Sequence, residues 1–217
     1  MKNLYIYCEG QTEESFINQV LFPYLLNNGV CAKPIVCTTK KTKNKKFKGG
    51  VRDYQKIKRE LSILCKQHHH ETVTTMFDYY GLPGNTPGVD MMSGNLYERV
   101  MRIEKAVETD INLPNLFFNL TVHEFEGLLF TNPSIFQTIA DSRIVARLQT
   151  VRDGFDSPEH INNSIETAPS KRLGILIPGY SKVMNGTILS EQIGIDAMIA
   201  ECSHFHEWVT KLRSLAD

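Results

Sequence analysis

The chain has 217 residues, 41% of them hydrophobic and 22% charged, enough apolar material for one large core or a core with a helical annex. No stretch approaches the ~20 apolar residues of a membrane span, and the opening MKNLYIYCEG has no apolar run behind a basic one, so a cytoplasmic protein without membrane association is expected. Formal net charge is zero, yet residues 38–60 hold ten Lys or Arg against two acids, which leaves the rest of the chain at −8.

In chain order, residues 3–8 read as a short apolar strand that ends at Glu9-Gly10, where glycine permits a sharp exit. Thr12 is the expected N-cap of a first helix, with Glu13 and Glu14 in its first turn and an apolar stripe at Phe16, Ile17, Val20, Leu21, Tyr24 and Leu25 that stops at Gly29. A second strand is predicted over 33–38. It leads into the lysine-rich segment and a Gly49-Gly50 hinge, then a helix with Tyr54, Ile57, Leu61 and Leu64 facing inward. A β-branched third strand, 72–77, ends at Asp78 and is followed by the loop GLPGNTPG. A helix over about 94–108 and a fourth strand over 116–122 complete the alternation. From Ser134 onward the chain reads as short helices divided by Pro158, Pro169 and Pro178.

Alternating strands and helices predict an α/β fold: a mostly parallel, Rossmann-like sheet with helices on both faces and a C-terminal helical region. The expected division is a core over 1–131 and a helical region over 132–217, in one folding unit. In such sheets ligands bind beyond the carboxyl ends of the strands. Glu9, Asp78, Glu124 and Glu126 all follow strands, so residues distant in sequence converge on one edge. Carboxylates without a cysteine or histidine cluster are hard oxygen ligands suited to Mg²⁺ or Mn²⁺. Glu9, Asp78 and Glu126 are the candidate ligands, and Glu13 supports a second ion or a water. Taken singly, Glu13 and Glu14 could equally serve a helix N-terminus and Asp78 a turn.

The strings YCEGQTEESF, FDYYGLPGNTPG, HEFEGLLF and APSKRLGILIPGYSK together resemble an uncharacterised bacterial family related to the Toprim fold and to the nucleases of the OLD group. The resemblance spans nearly the whole chain. In Toprim domains a glutamate after the first strand and an aspartate motif after the third bind metal, which implies Glu9 and Asp78 here. The second aspartate of the DxD motif is absent, because Tyr80 stands in its place, and this shifts weight to Glu126. The resemblance further implies a metal-dependent nuclease acting on DNA or RNA in a bacterial anti-phage defence system beside an ATPase partner. This chain has no GxxxxGK[ST] loop of its own. A non-catalytic regulatory or nucleic-acid-binding subunit of an ATPase complex is the alternative.

Lys171 and Lys182 are candidate cations for the phosphate, with Ser170, Arg172 and Tyr180 beside them, although APSKRL also reads as an ordinary helix start capped by Ser170 or a neighbour. Lys40, Lys41, Lys43, Lys45, Lys46 and Lys48, together with Arg172, are the expected grip on the nucleic-acid backbone; a solvated lysine loop is the other reading. The five cysteines are scattered and odd in number, which fits reduced thiols rather than a disulfide framework. In CSHFHEW, Phe205 and Trp208 read as core and the histidines as partner groups or surface rather than zinc ligands. An oligomer is compatible with all of these readings.

Overall fold

Residues 4–8 alternate between two apolar layers, so the first strand is buried on both faces, as the centre of a parallel sheet requires. The computed structural model describes residues 1–37, 53–91, 93–162 and 165–216. Lys40, Lys41, Lys43, Lys45, Lys46 and Lys48 therefore lie outside the described residues. Strands β1 (Lys2–Cys8), β2 (Val30–Val36), β3 (Thr72–Asp78), β4 (Leu116–Phe117) and β5 (Leu120–Thr121) form a wholly parallel sheet of order β2-β1-β3-β4, with β5 also pairing β3. The protein is an α/β fold with helices on both faces.

One face carries Leu4, Ile6, Cys8 and Met76, covered by helix α1 (Gln11–Phe16), a π-turn over Ile17–Leu21 and helix α2 (Phe22–Leu26). The other carries Tyr5, Tyr7, Val73 and Phe77 under α3 (Tyr54–Gln67) and α4 (Leu96–Ile111). Both long helices start on side-chain caps. Asp53 accepts from the Gln55 N–H at 3.1 Å, and Asn95 exchanges bonds with Glu98 in a capping box. The π-turn precedes Pro23, which has no N–H and whose ring would crowd the carbonyl four residues back. The ladder widens there, so that the Phe22 N–H reaches the Ile17 carbonyl.

Four local expectations are corrected. The first helix is capped at Gly10, not Thr12; Gly10 has no side chain to offer, and the Glu13 carboxylate reaches back to its N–H at 2.9 Å. The second strand begins at Val30 and ends at Val36, so the expected span of 33–38 starts too late; Pro34 is tolerated because β2 is an edge strand. The expected strand over 116–122 is broken in two. At the break the buried Thr75 hydroxyl donates to the Asn119 carbonyl at 2.7 Å and accepts from its N–H at 2.8 Å, standing in for backbone rungs. Finally, the helix at Pro169 has no side-chain cap from Ser170; its N-cap is Ala168.

The C-terminal segment forms α5 (Ser142–Asp153), α6 (Pro169–Leu176), α7 (Lys182–Ile193), α8 (Ile195–Glu201) and α9 (Ser203–Arg213). Leu148, Leu173, Leu189, Met198, Phe205 and Trp208 join the same apolar cluster as Leu4 and Ile6. The Trp208 indole N–H donates to the Thr74 hydroxyl at 3.1 Å, tying α9 to β3. The start of α9 is closed by the buried Glu159, which accepts from the His204 and Phe205 N–H groups at 3.0 and 2.9 Å and from the Tyr97 hydroxyl. His204 is buried and pairs with Glu104, whereas His206 is exposed. The five cysteines are free. Among the described residues no helix is long and apolar enough to cross a membrane.

Candidate metal centre at the carboxyl edge of the sheet

Glu9 follows β1, Asp78 ends β3, and Glu124 and Glu126 follow β5 across the turn at His123. The sheet thus delivers their side chains to one edge, as parallel topology dictates. Glu13 joins them from the first turn of α1, and Lys182 from the first position of α7. Two glycines permit these approaches. A Cβ on Gly81 would stand 2.8 Å from Glu9 Oε2, and one on Gly186 would stand 3.3 Å from the Phe125 ring, with Thr12 of α1 close behind. Gly186 lies one helical turn beyond Lys182, so it is the close approach of α7 that brings the lysine in.

Backbone donors orient most of the carboxylates. Asp78 Oδ1 accepts from the Phe125 N–H at 2.8 Å, which joins the end of β3 to the turn after β5. Glu13 Oε2 accepts from the Gly10 N–H, as above, and Glu124 Oε2 accepts from the Ser170 N–H at 3.0 Å, satisfying the start of α6. The local role expected of Glu13 at its helix start holds, whereas Asp78 makes no side-chain cap on the turn that follows it and instead joins the distant Phe125; each uses one oxygen. Glu126 is 1% exposed and is met by Lys182, whose Nζ lies 3.1 Å from both of its oxygens; the lysine side chain itself is 48% exposed.

Charge at this edge is out of balance. Burial, then the charges of Glu13 and Glu124, push the Glu9 carboxyl up to about 7 against the pull of Lys182. Asp78 is raised well above the ordinary aspartate range by burial and by Glu13, Glu126 and Glu9. Burial also raises Glu13 and Glu126, and in both cases it outweighs Lys182. Burial works against the charge on Lys182, but Glu126, Glu124 and Asp78 prevail and hold it above the usual lysine value. Among the described residues five carboxylates thus face one ammonium, and the surplus is met by protons or by further positive charge.

Among the described residues, no group of three or more His, Cys, Asp or Glu side chains is placed so that it could hold a metal ion. Lys182 donates to Glu126 Oε2, while the buried Oε1, also 3.1 Å from the ammonium, accepts no hydrogen bond, and Asp78, Glu13 and Glu124 each have one oxygen turned to a backbone N–H. The remaining oxygens are hard donors in excess negative charge, and such a set fits Mg²⁺ or Mn²⁺ once the lysine gives way. Lys171 is exposed. Arg172 donates its Nε–H to the Thr167 carbonyl at 2.6 Å. Glu124 is expected at this edge from its place after a strand, though not as a ligand, and no local pattern in the sequence marks Gly81 or Gly186.

A sequence model of the family described as "Domain of unknown function (DUF4276)" matches residues 8–213. No curated protein matches the chain. Among solved structures, the C-terminal region of the Burkholderia pseudomallei OLD protein is similar at 14% identity and a TM-score of 0.49, with all of both chains covered. The C-terminal region of the Xanthomonas campestris pv. campestris OLD protein is similar at 13% identity and a TM-score of 0.41, over 100% of this chain and 98% of that one.

Proposed function

The chain belongs to the DUF4276 family, and we propose that this member is a Toprim-like, Mg²⁺- or Mn²⁺-dependent nuclease that hydrolyses phosphodiesters of DNA or RNA at its acidic edge. The observation that carries the proposal is that, among the described residues, five buried or half-buried carboxylates converge on a single cation, Lys182, at the carboxyl ends of parallel strands. Glu9, Asp78 and Glu126 would hold the ion, with Glu13 supporting a second ion or a water. When bound, such an ion polarises the phosphoryl oxygen and makes water a competent nucleophile at neutral pH.

The chain's own groups do the rest. Lys182, released from Glu126, faces the charge that grows on the non-bridging oxygens, where a fixed cation stabilises the transition state more than the ground state. The second oxygen of Glu13 orients water, its first being fixed by Gly10. Lys171, Arg172 and the lysines at 40, 41, 43, 45, 46 and 48 meet neighbouring phosphates. The core over 1–131 carries the chemistry and the helical region over 132–217 supplies Lys182. A place in anti-phage defence beside an ATPase partner belongs to this reading through the sequence resemblance alone.

A non-catalytic binding subunit is the second reading, and it is favoured by Tyr80 at the position where Toprim motifs carry another aspartate. The deciding experiment incubates the wild type, Glu9→Gln and Asp78→Asn with mixed DNA and RNA in Mg²⁺ or Mn²⁺. Metal-dependent cleavage by the wild type alone supports the nuclease; cleavage that persists in either variant refutes the site assignment.

A further inference from the structure

Tyr80 is not a passive filler of the missing aspartate's position. Its ring stacks on the imidazole of His123, with centroids 4.8 Å apart and planes at 25°, and Tyr79 lies alongside at 5.7 Å. The Tyr80 N–H donates to the His123 carbonyl at 3.2 Å, so backbone and ring are held together. His123 adopts φ 61°, a left-handed conformation that a side chain other than glycine rarely takes, and this turn carries the chain from β5 to Glu124. The two rings differ in one respect: His123 is 6% exposed, whereas Tyr80 is 43% exposed.

A large aromatic ring pinned from beneath and open to water is built to receive a flat partner. Its surroundings define that partner. Tyr80 stands two residues after Asp78 and is bonded to His123, the residue before Glu124, so its ring borders the acidic edge. Burial, with the neighbouring charges of His160 and Arg99, holds the His123 ring down to about 4, so the base of the stack is an uncharged plane at neutral pH. An exposed aromatic face beside a phosphodiester site is an arrangement by which proteins hold unpaired nucleotides, the base stacking on the ring while the backbone is held alongside. A duplex offers base edges rather than faces and cannot use it.

We infer that Tyr80, backed by His123, is a nucleobase-stacking platform, and that the nucleic acid bound at the acidic edge is single-stranded. The inference rests on the reading of that edge as a phosphodiester site and adds the substrate class. The test uses the full chain with single-stranded DNA and RNA oligonucleotides carrying 2-aminopurine, and the matching duplexes, in buffer free of divalent metal so that nothing is cut. Wild type and Tyr80→Phe quench the fluorophore on binding single strands. Tyr80→Ala loses the quench and binds single strands roughly 5- to 150-fold more weakly, the value of one base–aromatic stack, with duplex binding unchanged.

Equal single-strand affinity and equal quenching in Tyr80→Ala overturn the platform, as does an equal loss on duplex and single strand. A wild type that binds neither strand, with Ca²⁺ present as well as without metal, overturns it too. Cleavage in Mn²⁺, measured separately, tells the two ideas apart: Tyr80-dependent quenching without cleavage keeps the platform and sinks the nuclease, and cleavage unaffected by Tyr80→Ala on every substrate, with no quench, does the reverse. Thermal melts confirm that Tyr80→Ala, a change at an exposed side chain, keeps its fold.

Discussion

Replacing Glu9 by glutamine isolates the electrostatic cost of the acidic edge. In the metal-free protein the Glu9 carboxyl is raised from 4.5 to about 7, so the folded state holds a proton more tightly than the unfolded chain does. A carboxyl raised in this sense contributes stability that is fully present below its unfolded pKa and is lost as pH rises through its folded pKa. Between about pH 5 and about pH 8.5, that loss integrates to about 2.5 kcal/mol at 1.36 kcal/mol per pKa unit. Glutamine is neutral throughout and does not suffer it. Glu9→Gln should therefore gain about 2.5 kcal/mol on the wild type over that interval, or roughly 5–10 °C in Tm for a chain of this size. The pairwise comparison matters because His123, held down to about 4, loses stability in acid and would mask the slope of the wild type alone. Urea or thermal melts of both proteins in EDTA at several pH values make the measurement. A difference between them that does not change with pH, or that favours the wild type at high pH, refutes the account of the crowded edge.

Three further outcomes follow from the geometry. Gly81→Ala places a Cβ only 2.8 Å from Glu9 Oε2, so the flexible carboxylate must move; Mn²⁺ affinity in calorimetry should fall while Tm stays near that of the wild type. Lys182→Met removes the resident cation; a dication about 6 Å from an ammonium in a water-like dielectric is repelled by about 1.4 kcal/mol, so the variant should bind Mn²⁺ about tenfold more tightly yet lose cleavage, and weaker metal binding would show that Lys182 positions the ligands instead. Glu159→Ala leaves the first N–H groups of α9 without their acceptor in a buried setting, and chemical denaturation should report a loss of about 3 kcal/mol.

The elements legible in the sequence are those whose signals are local. Residues 3–8 and 72–77 alternate or run apolar because both faces are covered, and α3 and α4 announce themselves by Tyr54, Ile57, Leu61 and Leu64 and by Val100, Ile103 and Val107, all buried as their spacing requires. The expected second strand includes Lys33 and Pro34, which an edge position tolerates, but misses Val30, Cys31 and Ala32, which follow directly on Gly29 with no turn signal between. The split between β4 and β5 was invisible because its cause is a threonine more than forty residues earlier in the chain, bonded to Asn119. In the site, the topological rule alone placed Glu9, Asp78 and Glu126 together. The lysine among them came from resemblance, since nothing near residue 182 says that α7 crosses α1 at Gly186. The aromatic stack on His123 depends on a left-handed residue that no sequence pattern marks.

The central claim is that the acidic edge is a divalent-metal site, and titration of the metal-free protein with Mn²⁺ by calorimetry tests it most directly, with Asp78→Asn alongside. Asparagine retains an oxygen to accept the Phe125 N–H, so the turn after β5 survives while one charge is removed. The account predicts saturable Mn²⁺ binding by the wild type and its loss in Asp78→Asn at an unchanged fold. Absence of binding by the wild type at millimolar Mn²⁺, or equal binding by both proteins, would contradict it.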